Sequence, residues 1–290
     1  MLHPCRMSSL TKAEIQRAVR LALAEDVGEG DVTTLATVPE AATARAVMKA
    51  REPLVPAGLG VAEAVFREIS AVVQVTQLVE DGQPVKAGQD LLRVEGPARA
   101  ILSAERVALN FAQRLSGIAT LTAQFVDAIK GTSARILDTR KTTPGLRHFE
   151  KYAVACGGGQ NHRIGLYDMV LLKDNHLAAL RNELPNAITA AVQRARARYP
   201  KLKVEVEADT LEQVEQALAA GADIILLDNM TLIQLRVAVQ QTKGRAQTEA
   251  SGGVNLATVR AIAGSGVDFI SVGALTHSAR AVDIGLDFEN

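Results

Sequence analysis

The pattern of apolar and polar residues changes character near residue 131. Before that point, apolar residues recur at helical spacing over residues 12–25 and 98–130, and residues 43–50 alternate as a strand. After it, short continuous runs of Val, Ile and Leu alternate with helical segments. Continuous aliphatic strands separated by helices are typical of a parallel sheet covered on both faces. The chain is therefore predicted to contain two regions of different architecture.

The region after residue 131 predicts a parallel strand–helix repeat. Strand-like runs cover residues 134–137, 169–172, 203–206, 223–227, 246–249 and 268–272, and the clearest helices cover residues 186–198, 210–220, 231–241 and 255–263. The closed form of such a repeat is a β/α barrel, but six strands are fewer than the eight of a complete barrel. We therefore expect an α/β fold with an incomplete, six- to seven-stranded β/α barrel.

The N-terminal region predicts a smaller α/β sandwich domain. Thr11 and Glu14 have the spacing of a capping box, which starts the first helix at residue 12. Gly117 marks either a break or a point of close packing in the long helical segment. Further elements are predicted at residues 61–69 (a helix) and at residues 72–80 and 90–95 (strands).

The two predicted strands flank a turn, and this segment, DGQPVKAGQDLLRVEG, resembles half of a biotinyl or lipoyl domain. A carrier domain of that kind presents a modifiable lysine within a hairpin, usually beside Met. The adjacent pair Met48-Lys49 lies in a predicted strand instead. A carrier function is therefore disfavoured, although it stays open as an alternative.

Composition limits the classes of partner. The 290 residues hold 32 basic and 32 acidic side chains, and a neutral chain without basic runs is not expected to bind nucleic acid. No apolar run reaches the roughly 18 residues of a membrane span. The first ten residues lack an apolar signal core, and Cys5 and Cys156 show no metal-ligand spacing. Two unpaired thiols predict a cytoplasmic protein, and Cys156 is expected to pack as a small residue rather than to act as a nucleophile.

Candidate chemistry concentrates between residues 136 and 176. This stretch holds three of the five histidines and six cationic side chains, Arg140, Lys141, Arg147, Lys151, Arg163 and Lys173. Gly157–Gly159 adds a loop that can adopt positive φ and approach a ligand closely. Such a cluster suits a small ligand with several negative charges. A solvated basic loop is the alternative, and the position of the charges at strand ends argues against it.

Polar residues also end every predicted strand of the second region. Catalytic groups of β/α barrels lie at the carboxyl ends of the strands. The residues at or just past these ends are Arg140, Lys141, Lys173, Glu207, Asp228, Ser251–Gly253 and Gly273. We expect them to form one ring around a functional mouth.

The acids and the glycines of this ring indicate different chemistry. Glu207 and Asp228 fit either a sugar, through its hydroxyls, or a Mg²⁺ ion held through water. Asp228 and the asparagine after it could instead cap the following helix. Ser251–Gly253 precede a helix predicted to start near Asn255, and free N–H groups at a helix N-terminus bind anions. Barrel phosphate sites commonly occupy the loops after the last two strands.

Four segments carry a resemblance to a known family. ILDTRKTTPGLR, KYAVACGGGQNHRIGLYDMVLLKDNH, LLDNM and ASGGV resemble quinolinate phosphoribosyltransferase, the decarboxylating nicotinate-nucleotide pyrophosphorylase, and related patterns run from Glu25 to about His277. The resemblance implies a pentosyltransferase that converts quinolinate and phosphoribosyl pyrophosphate to nicotinate mononucleotide, pyrophosphate and CO₂ in NAD biosynthesis, with Mg²⁺ bound beside phosphoribosyl pyrophosphate. It also implies a sandwich domain at residues 1–115, a barrel at residues 116–275 and a tail at residues 276–290 that returns to the first domain.

The resemblance also implies roles for individual residues. Lys141, Lys173, Glu207 and Asp228 take the catalytic roles, and no protein ligand of a metal is assigned. The arginine at the position of Arg106 reaches into the neighbouring subunit's site in the family, which implies a homodimer or a larger homo-oligomer. The matching substrate contacts are Arg106, Thr139, Arg140, Lys141, His162, Arg163, Lys173, Glu207, Asp228, Ser251, Gly252, Gly253, Gly273 and His277.

A related protein of the same fold, of the type found beside molybdate transport, is the alternative within this resemblance. The complete set of TRK, NHR and KDNH motifs favours the quinolinate enzyme.

Overall fold

The computed structural model describes residues 10–289, so Cys5 and the predicted absence of a signal core in the first residues lie outside the described part. The chain forms two compact units. The first comprises residues 10–123, 143–158 and 278–289, and the second comprises residues 124–142 and 159–277. Within residues 10–289, no helix combines the length and the apolar character that a bilayer span requires.

The elements alternate along most of the chain. The helices are α1 (Lys12–Asp26), α2 (Val32–Thr37), α3 (Leu59–Ile69), α4 (Ala98–Ala128), α5 (Arg147–Cys156), α6 (Asp174–Ala179), α7 (Ala187–Arg198), α8 (Leu211–Ala220), α9 (Leu232–Thr242), α10 (Val259–Ala263) and α11 (Ala274–His277). The strands are β1 (Thr43–Ala50), β2 (Gln74–Gln77), β3 (Asp90–Pro97), β4 (Arg135–Leu137), β5 (Val170–Leu172), β6 (Val204–Ala208), β7 (Ile224–Asp228), β8 (Gln247–Ser251), β9 (Phe269–Ser271) and β10 (Ile284–Glu289).

The first unit contains a four-stranded antiparallel sheet in the order β10-β1-β3-β2. β1 pairs with β3 on one side and with β10 on the other, so the C-terminal segment completes the sheet. Ala46, Met48 and Val94 are fully buried in this sheet. The capping box predicted at the start of α1 is confirmed, since Thr11 and Glu14 exchange side-chain to backbone hydrogen bonds.

The long helix α4 is continuous, and Gly117 is a point of close packing rather than a break. A Cβ at Gly117 would lie 1.9 Å from the carbonyl oxygen of Arg280. Nearby, Arg114 of α4 donates to the fully buried Glu150 of α5 over 2.9 Å. Glycine at position 117 therefore allows the C-terminal segment to pass directly against the helix.

The second unit contains six parallel strands in the order β4-β9-β8-β7-β6-β5, which confirms the predicted α/β fold with an incomplete barrel. β4 pairs with β9 and not with β5. A single parallel bridge from Leu137 to Gln160 occupies the other side of β4. Because all six strands run parallel, their carboxyl ends meet at one edge.

Residues of β6 show how each strand separates core from cavity. Val204, Val206 and Ala208 are fully buried, and α7 and α8 contact this strand. Successive side chains of a strand point to opposite faces, so Glu205 and Glu207 share the other face.

Two predicted elements and one unpredicted helix differ between the sequence analysis and the structure. The strand predicted at residues 72–80 is limited to β2. Asp31 caps α2, a short helix that was not predicted, by accepting the N–H of Thr34 over 3.0 Å. The helix predicted to start near Asn255 begins at Val259, because the Asn255 side chain accepts the N–H groups of Ala257 and Thr258 in a preceding turn.

Candidate active site

A cavity of about 770 Å³ lies at the carboxyl ends of the six parallel strands in the second unit. This volume is typical of small-molecule sites. All predicted substrate contacts except Arg106 line it, namely Thr139, Arg140, Lys141, His162, Arg163, Lys173, Glu207, Asp228, Ser251, Gly252, Gly253, Gly273 and His277. Arg106 lies on α4, where it is exposed, and does not belong to the lining.

The predicted cationic cluster is divided between the two units. Arg140, Lys141, Arg163 and Lys173 line the cavity. Arg147 and Lys151 lie on α5 in the first unit, where Lys151 is fully buried, and neither is among the residues that line the cavity. Cationic residues that are close in sequence thus belong to different units of the structure.

The glycines at residues 157–159 are not among the residues that line the cavity. A Cβ at Gly157 would lie 2.3 Å from the carbonyl oxygen of Ala119, so this glycine packs against α4 within the first unit. Cys156, just before it, is buried, and burial raises the pKa of its thiol to about 12. Such a thiol is a packed side chain rather than a nucleophile, as predicted.

Asp138 positions the segment that carries His162 and Arg163. It follows β4 directly and is fully buried. Its carboxylate accepts the backbone N–H of His162 over 2.8 Å and the side-chain amide of Asn161 over 2.7 Å. These bonds fix the loop at the open side of β4, where Gln160 makes its bridge.

Arg140 and Arg163 form a pair of like charges in the lining. Burial lowers the pKa of Arg163, and the charge of Arg140 lowers it further. The Nε atom of Arg140 is buried and has no hydrogen-bond partner among the described residues. Glu205 and Asp168 offset these effects only in part, since the pKa of Arg163 stays lowered, so an anion bound between the two guanidinium groups would be favourable.

Lys173 and Glu207 form an ion pair at the ends of β5 and β6. The Lys173 Nζ atom lies 2.8 Å from Oε2 of Glu207. The backbone N–H of Lys173 donates to Nδ1 of His176 over 3.0 Å, so this histidine supports the start of α6 and does not line the cavity. The pair holds one cation and one anion at adjacent strand ends.

Asp228 and Gly252 meet at the side chain of Asn229, which also lines the cavity. Asn229 has a φ of 52°, and its amide donates to Asp228 Oδ2 over 2.6 Å. Asp228 is therefore not the cap of the next helix, since Thr231 caps α9. Sequence reasoning assigned Asn229 no role in the site.

Lys141 and His277 lie on either side of Gly273. A Cβ at Gly273 would lie 3.1 Å from both the His277 Nε2 atom and the Lys141 Cδ atom. Thr276 donates its hydroxyl to the carbonyl oxygen of Lys141 over 2.7 Å and ties α11 to the loop after β4. The side chains of Lys141 and His277 thus lie against the backbone of Gly273.

A further acidic group lies beside His162. The Nε2 atom of His162 lies 3.0 Å from Glu205 Oε2 and 3.4 Å from Glu249 Oε2. Both glutamates are at most 1% exposed, and Glu249 lines the cavity. Sequence reasoning missed them, although the alternation that places Glu207 in the cavity places Glu205 on the same face.

The donors of His162, Glu205 and Glu249 lie within 4.8 Å of one another, close enough to share a metal ion. The hydrogen bonding argues against one. The backbone N–H of Arg163 donates to Nδ1 of His162 over 2.8 Å, so the imidazole proton resides on Nε2, which faces the carboxylates. A metal-bound histidine normally donates through its second nitrogen, whereas this one accepts.

Comparisons with known proteins agree with this geometry. Two family models match, "Quinolinate phosphoribosyl transferase, N-terminal domain" at residues 31–116 and "Quinolinate phosphoribosyl transferase, C-terminal domain" at residues 118–287. The nicotinate-nucleotide pyrophosphorylase (carboxylating) of Mycobacterium leprae is 49% identical over 275 residues, which cover 93% of this chain and 95% of the relative. Its chloroplastic counterpart in Arabidopsis thaliana is 44% identical over 292 residues, covering 95% of this chain and 83% of the relative.

A solved structure shows the same fold. The nicotinate-nucleotide pyrophosphorylase from Francisella tularensis superimposes with a TM-score of 0.92 at 39% identity, covering 99% of this chain and 100% of that chain. Both domains of one family are matched in order along the sequence. The chain therefore belongs to the quinolinate phosphoribosyltransferase family of pentosyltransferases.

Proposed function

We propose that the cavity binds quinolinate together with phosphoribosyl pyrophosphate and releases nicotinate mononucleotide, pyrophosphate and CO₂, a step of NAD biosynthesis. The observation that carries this proposal is the pair of Arg140 and Arg163, two cations of the cavity lining whose charges repel each other. Quinolinate has two adjacent carboxylates, and planar guanidinium groups bind carboxylates through paired hydrogen bonds. A ligand with one carboxylate would leave one arginine uncompensated.

The rest of the lining divides between the two substrates. Thr139 and His162 also line the cavity, and we assign them to the proposed quinolinate pocket. Phosphoribosyl pyrophosphate carries two phosphate-containing ends. Lys141 and Lys173 supply positive charge for them, and His277 offers a ring nitrogen for a hydrogen bond. Gly252, Gly253 and Gly273 carry no side chain of their own, so phosphate oxygens could approach their main chain closely.

The first chemical step is displacement at C1 of the ribose. The ring nitrogen of quinolinate forms a bond to C1 while the bond from C1 to the pyrophosphate oxygen breaks. Positive charge develops on the ribose, and the carboxylates of Glu207 and Asp228 would hold the sugar and stabilise that charge. Lys141 and Lys173 would stabilise the negative charge of the leaving pyrophosphate.

The second step releases CO₂ from ring carbon 2. The electron pair of the broken carbon–carbon bond stays on that carbon, beside the ring nitrogen that now carries a positive charge. The substrate therefore provides its own electron sink, and the protein needs to hold the ring and supply a proton.

The residues present also fit a Mg²⁺ ion that arrives with phosphoribosyl pyrophosphate. Mg²⁺ prefers phosphate oxygens, waters and one or two carboxylates. Glu207 is already paired with Lys173, whereas the neighbour of Asp228 is the neutral amide of Asn229. Asp228 would therefore hold the ion through water. The bound ion supplies positive charge against the pyrophosphate.

Arg106 is proposed to act in the site of a second copy of the chain. It is exposed on α4 and does not line the cavity. We assign it to the quinolinate pocket of a neighbouring subunit, which makes the active assembly a homodimer or a larger homo-oligomer. A cytoplasmic location is proposed as well, on the unpaired thiol of Cys156.

The proposal is tested by incubating purified protein with phosphoribosyl pyrophosphate, Mg²⁺ and either quinolinate or nicotinate, and following nicotinate mononucleotide. We expect product from quinolinate and none from nicotinate, because only quinolinate offers a carboxylate to each arginine. Absence of product from both acceptors would overturn the proposal. Turnover of nicotinate alone would show that the arginine pair has a different ligand.

A variant pair separates the arginine pocket from general effects of charge. Arg163→Gln is expected to lower kcat/KM for quinolinate by about tenfold or more, the effect of losing a charge-assisted hydrogen bond. Arg236 is exposed on α9 and outside the lining, so Arg236→Gln is expected to leave kcat/KM unchanged.

A further inference from the structure

The buried pair of Glu205 and Glu249 has too few hydrogen-bond donors for two charged carboxylates. Within residues 10–289, their four oxygens have no hydrogen-bond partner of good geometry, and the donor that faces them is Nε2 of His162, 3.0 and 3.4 Å away. Two buried carboxylates this close are strongly unfavourable when both are ionised. The geometry therefore calls for a proton shared between them.

The pKa shifts of Glu205 and His162 agree with a shared proton. Burial, together with the charge of Glu249, raises the pKa of Glu205 to about 7. Burial alone would lower the pKa of His162, but the two carboxylates outweigh it and raise that pKa. The three groups therefore titrate as one coupled set, and each shift belongs to the set rather than to one residue. Because the Nδ1 atom of His162 accepts the N–H of Arg163, the ring donates only through Nε2, and the geometry places the further proton between the two glutamates.

We propose that Glu249 delivers this proton to carbon 2 of the pyridine ring after CO₂ leaves, with Glu205 and His162 as positioning residues. The inference rests on the proposed function, because only a decarboxylation leaves a carbanion to be protonated. The bond between carbon 2 and its carboxylate breaks, and its electron pair stays on the ring. The O–H bond of Glu249 then breaks as the new C–H bond forms. Water restores the proton after the product leaves.

The choice of Glu249 follows from access. Glu249 lines the cavity and Glu205 does not. The other acids of the lining have other partners, since Glu207 is paired with Lys173 and Asp228 accepts from Asn229. The stored proton also removes one negative charge from the wall that must accept a dicarboxylate, next to Arg163.

The experiment is a single turnover of the full-length protein with quinolinate labelled at the carboxylate on carbon 2, following pyrophosphate and CO₂ separately. In Glu249→Gln, pyrophosphate release should stay within about threefold of wild type, because no proton is needed for that step. CO₂ release should slow by about a hundredfold, the usual contribution of a positioned acid, since the unprotonated carbanion recaptures CO₂. The N-ribosylated dicarboxylate should accumulate.

Two further variants complete the test. Glu249→Asp keeps an acid and should restore part of the CO₂ release that the Gln variant loses. Glu215→Gln removes an exposed acid of α8 and should match wild type in both rates. Equal slowing of both products in Glu249→Gln, or no slowing of either, would overturn this inference. Failure of the wild-type protein to release pyrophosphate would instead overturn the proposed function from which the inference starts.

Discussion

At position 252, the side chain of Asn229 leaves space only for a residue without a Cβ. A Cβ there would lie 2.1 Å from Asn229 Oδ1, and the φ of Gly252 is +93°, a conformation that other L-residues rarely adopt. We predict that Gly252→Ala displaces Asn229 and, through its bond to Asp228, the proposed ribose site. The KM for phosphoribosyl pyrophosphate should rise by about tenfold, and urea unfolding should show a loss of about 2 kcal/mol or more.

Gly244 provides the matched control in the same unit. Its φ is also positive, at +75°, but a Cβ there would meet nothing within 4 Å. Gly244→Ala should therefore show the backbone strain alone, about 1 kcal/mol, with unchanged KM. Similar unfolding energies and unchanged KM values in both variants would show that the contact with Asn229 is unimportant.

Single residues also mark the limit of what the sequence predicts about the site. Position relative to a strand end was sufficient to place Glu207 and Asp228 in the cavity. Glu205 and Glu249 were not assigned to the site from the sequence, because they lie inside their strands, where a residue is expected to pack in the core. The signal that could have found them is alternation, since Val204 and Val206 face the helices and force both glutamates of β6 to the opposite face.

At the scale of elements, α4 offers a test of why a glycine occurs within a 31-residue helix. A Cβ at Gly117 would overlap the Arg280 carbonyl oxygen, which belongs to backbone and cannot rotate away. We predict that Gly117→Ala destabilises the protein by about 2 kcal/mol or more, as overpacking does, in urea unfolding followed by circular dichroism.

A glycine-to-alanine substitution in α3 should change the free energy of unfolding in the opposite direction. At Gly60 the nearest atom to an added Cβ is 4.0 Å away, in ordinary contact distance. Alanine has the higher helix propensity, so Gly60→Ala should stabilise by up to about 1 kcal/mol. Stabilisation by both alanines would mean that the segment at residue 280 does not pack tightly against α4.

How accurately each element was predicted depends on whether a residue pattern or a single capping side chain sets its bounds. The strands β4–β9 were predicted within about two residues. For β5 and β7 the signal is a short aliphatic run with a charged residue at its end, since a run of this length is too short for a helix. The short helices α2 and α10 depend instead on local caps. Asp31 starts a helix of six residues, and Asn255 delays another by folding its own turn. Such side-chain to backbone bonds are weak signals in a sequence.

At the scale of the molecule, the charged stretch from residue 136 to residue 176 does not behave as one piece. Its middle third, α5 with Arg147 and Lys151, belongs to the first unit, and its two ends form the cavity of the second. Charge density along the sequence could not reveal this, because adjacency in the chain does not fix adjacency in space. The positions of the strand ends could predict which residues meet in the cavity, because parallel strands bring their carboxyl ends together.

If Arg106 completes the site of a neighbouring subunit, two inactive variants should restore activity when they form a mixed oligomer. Arg106→Ala and Lys173→Ala should each be nearly inactive, since every site of the homo-oligomer then lacks one contact. After the two variants are mixed under conditions that exchange subunits, a mixed dimer has one site with both defects and one site with none. Random pairing in equal amounts should therefore restore about one quarter of wild-type activity.

The control is a mixture of Lys173→Ala with Glu207→Gln. These two residues form an ion pair within one chain, so no exchange of subunits can assemble an intact site from them. This mixture should stay inactive, and its failure to recover excludes simple stabilisation by mixing. If the mixture containing Arg106→Ala also stays inactive while labelled subunits are seen to exchange, Arg106 does not complete a neighbour's site. The cavity of each chain would then bind quinolinate with its own two arginines alone.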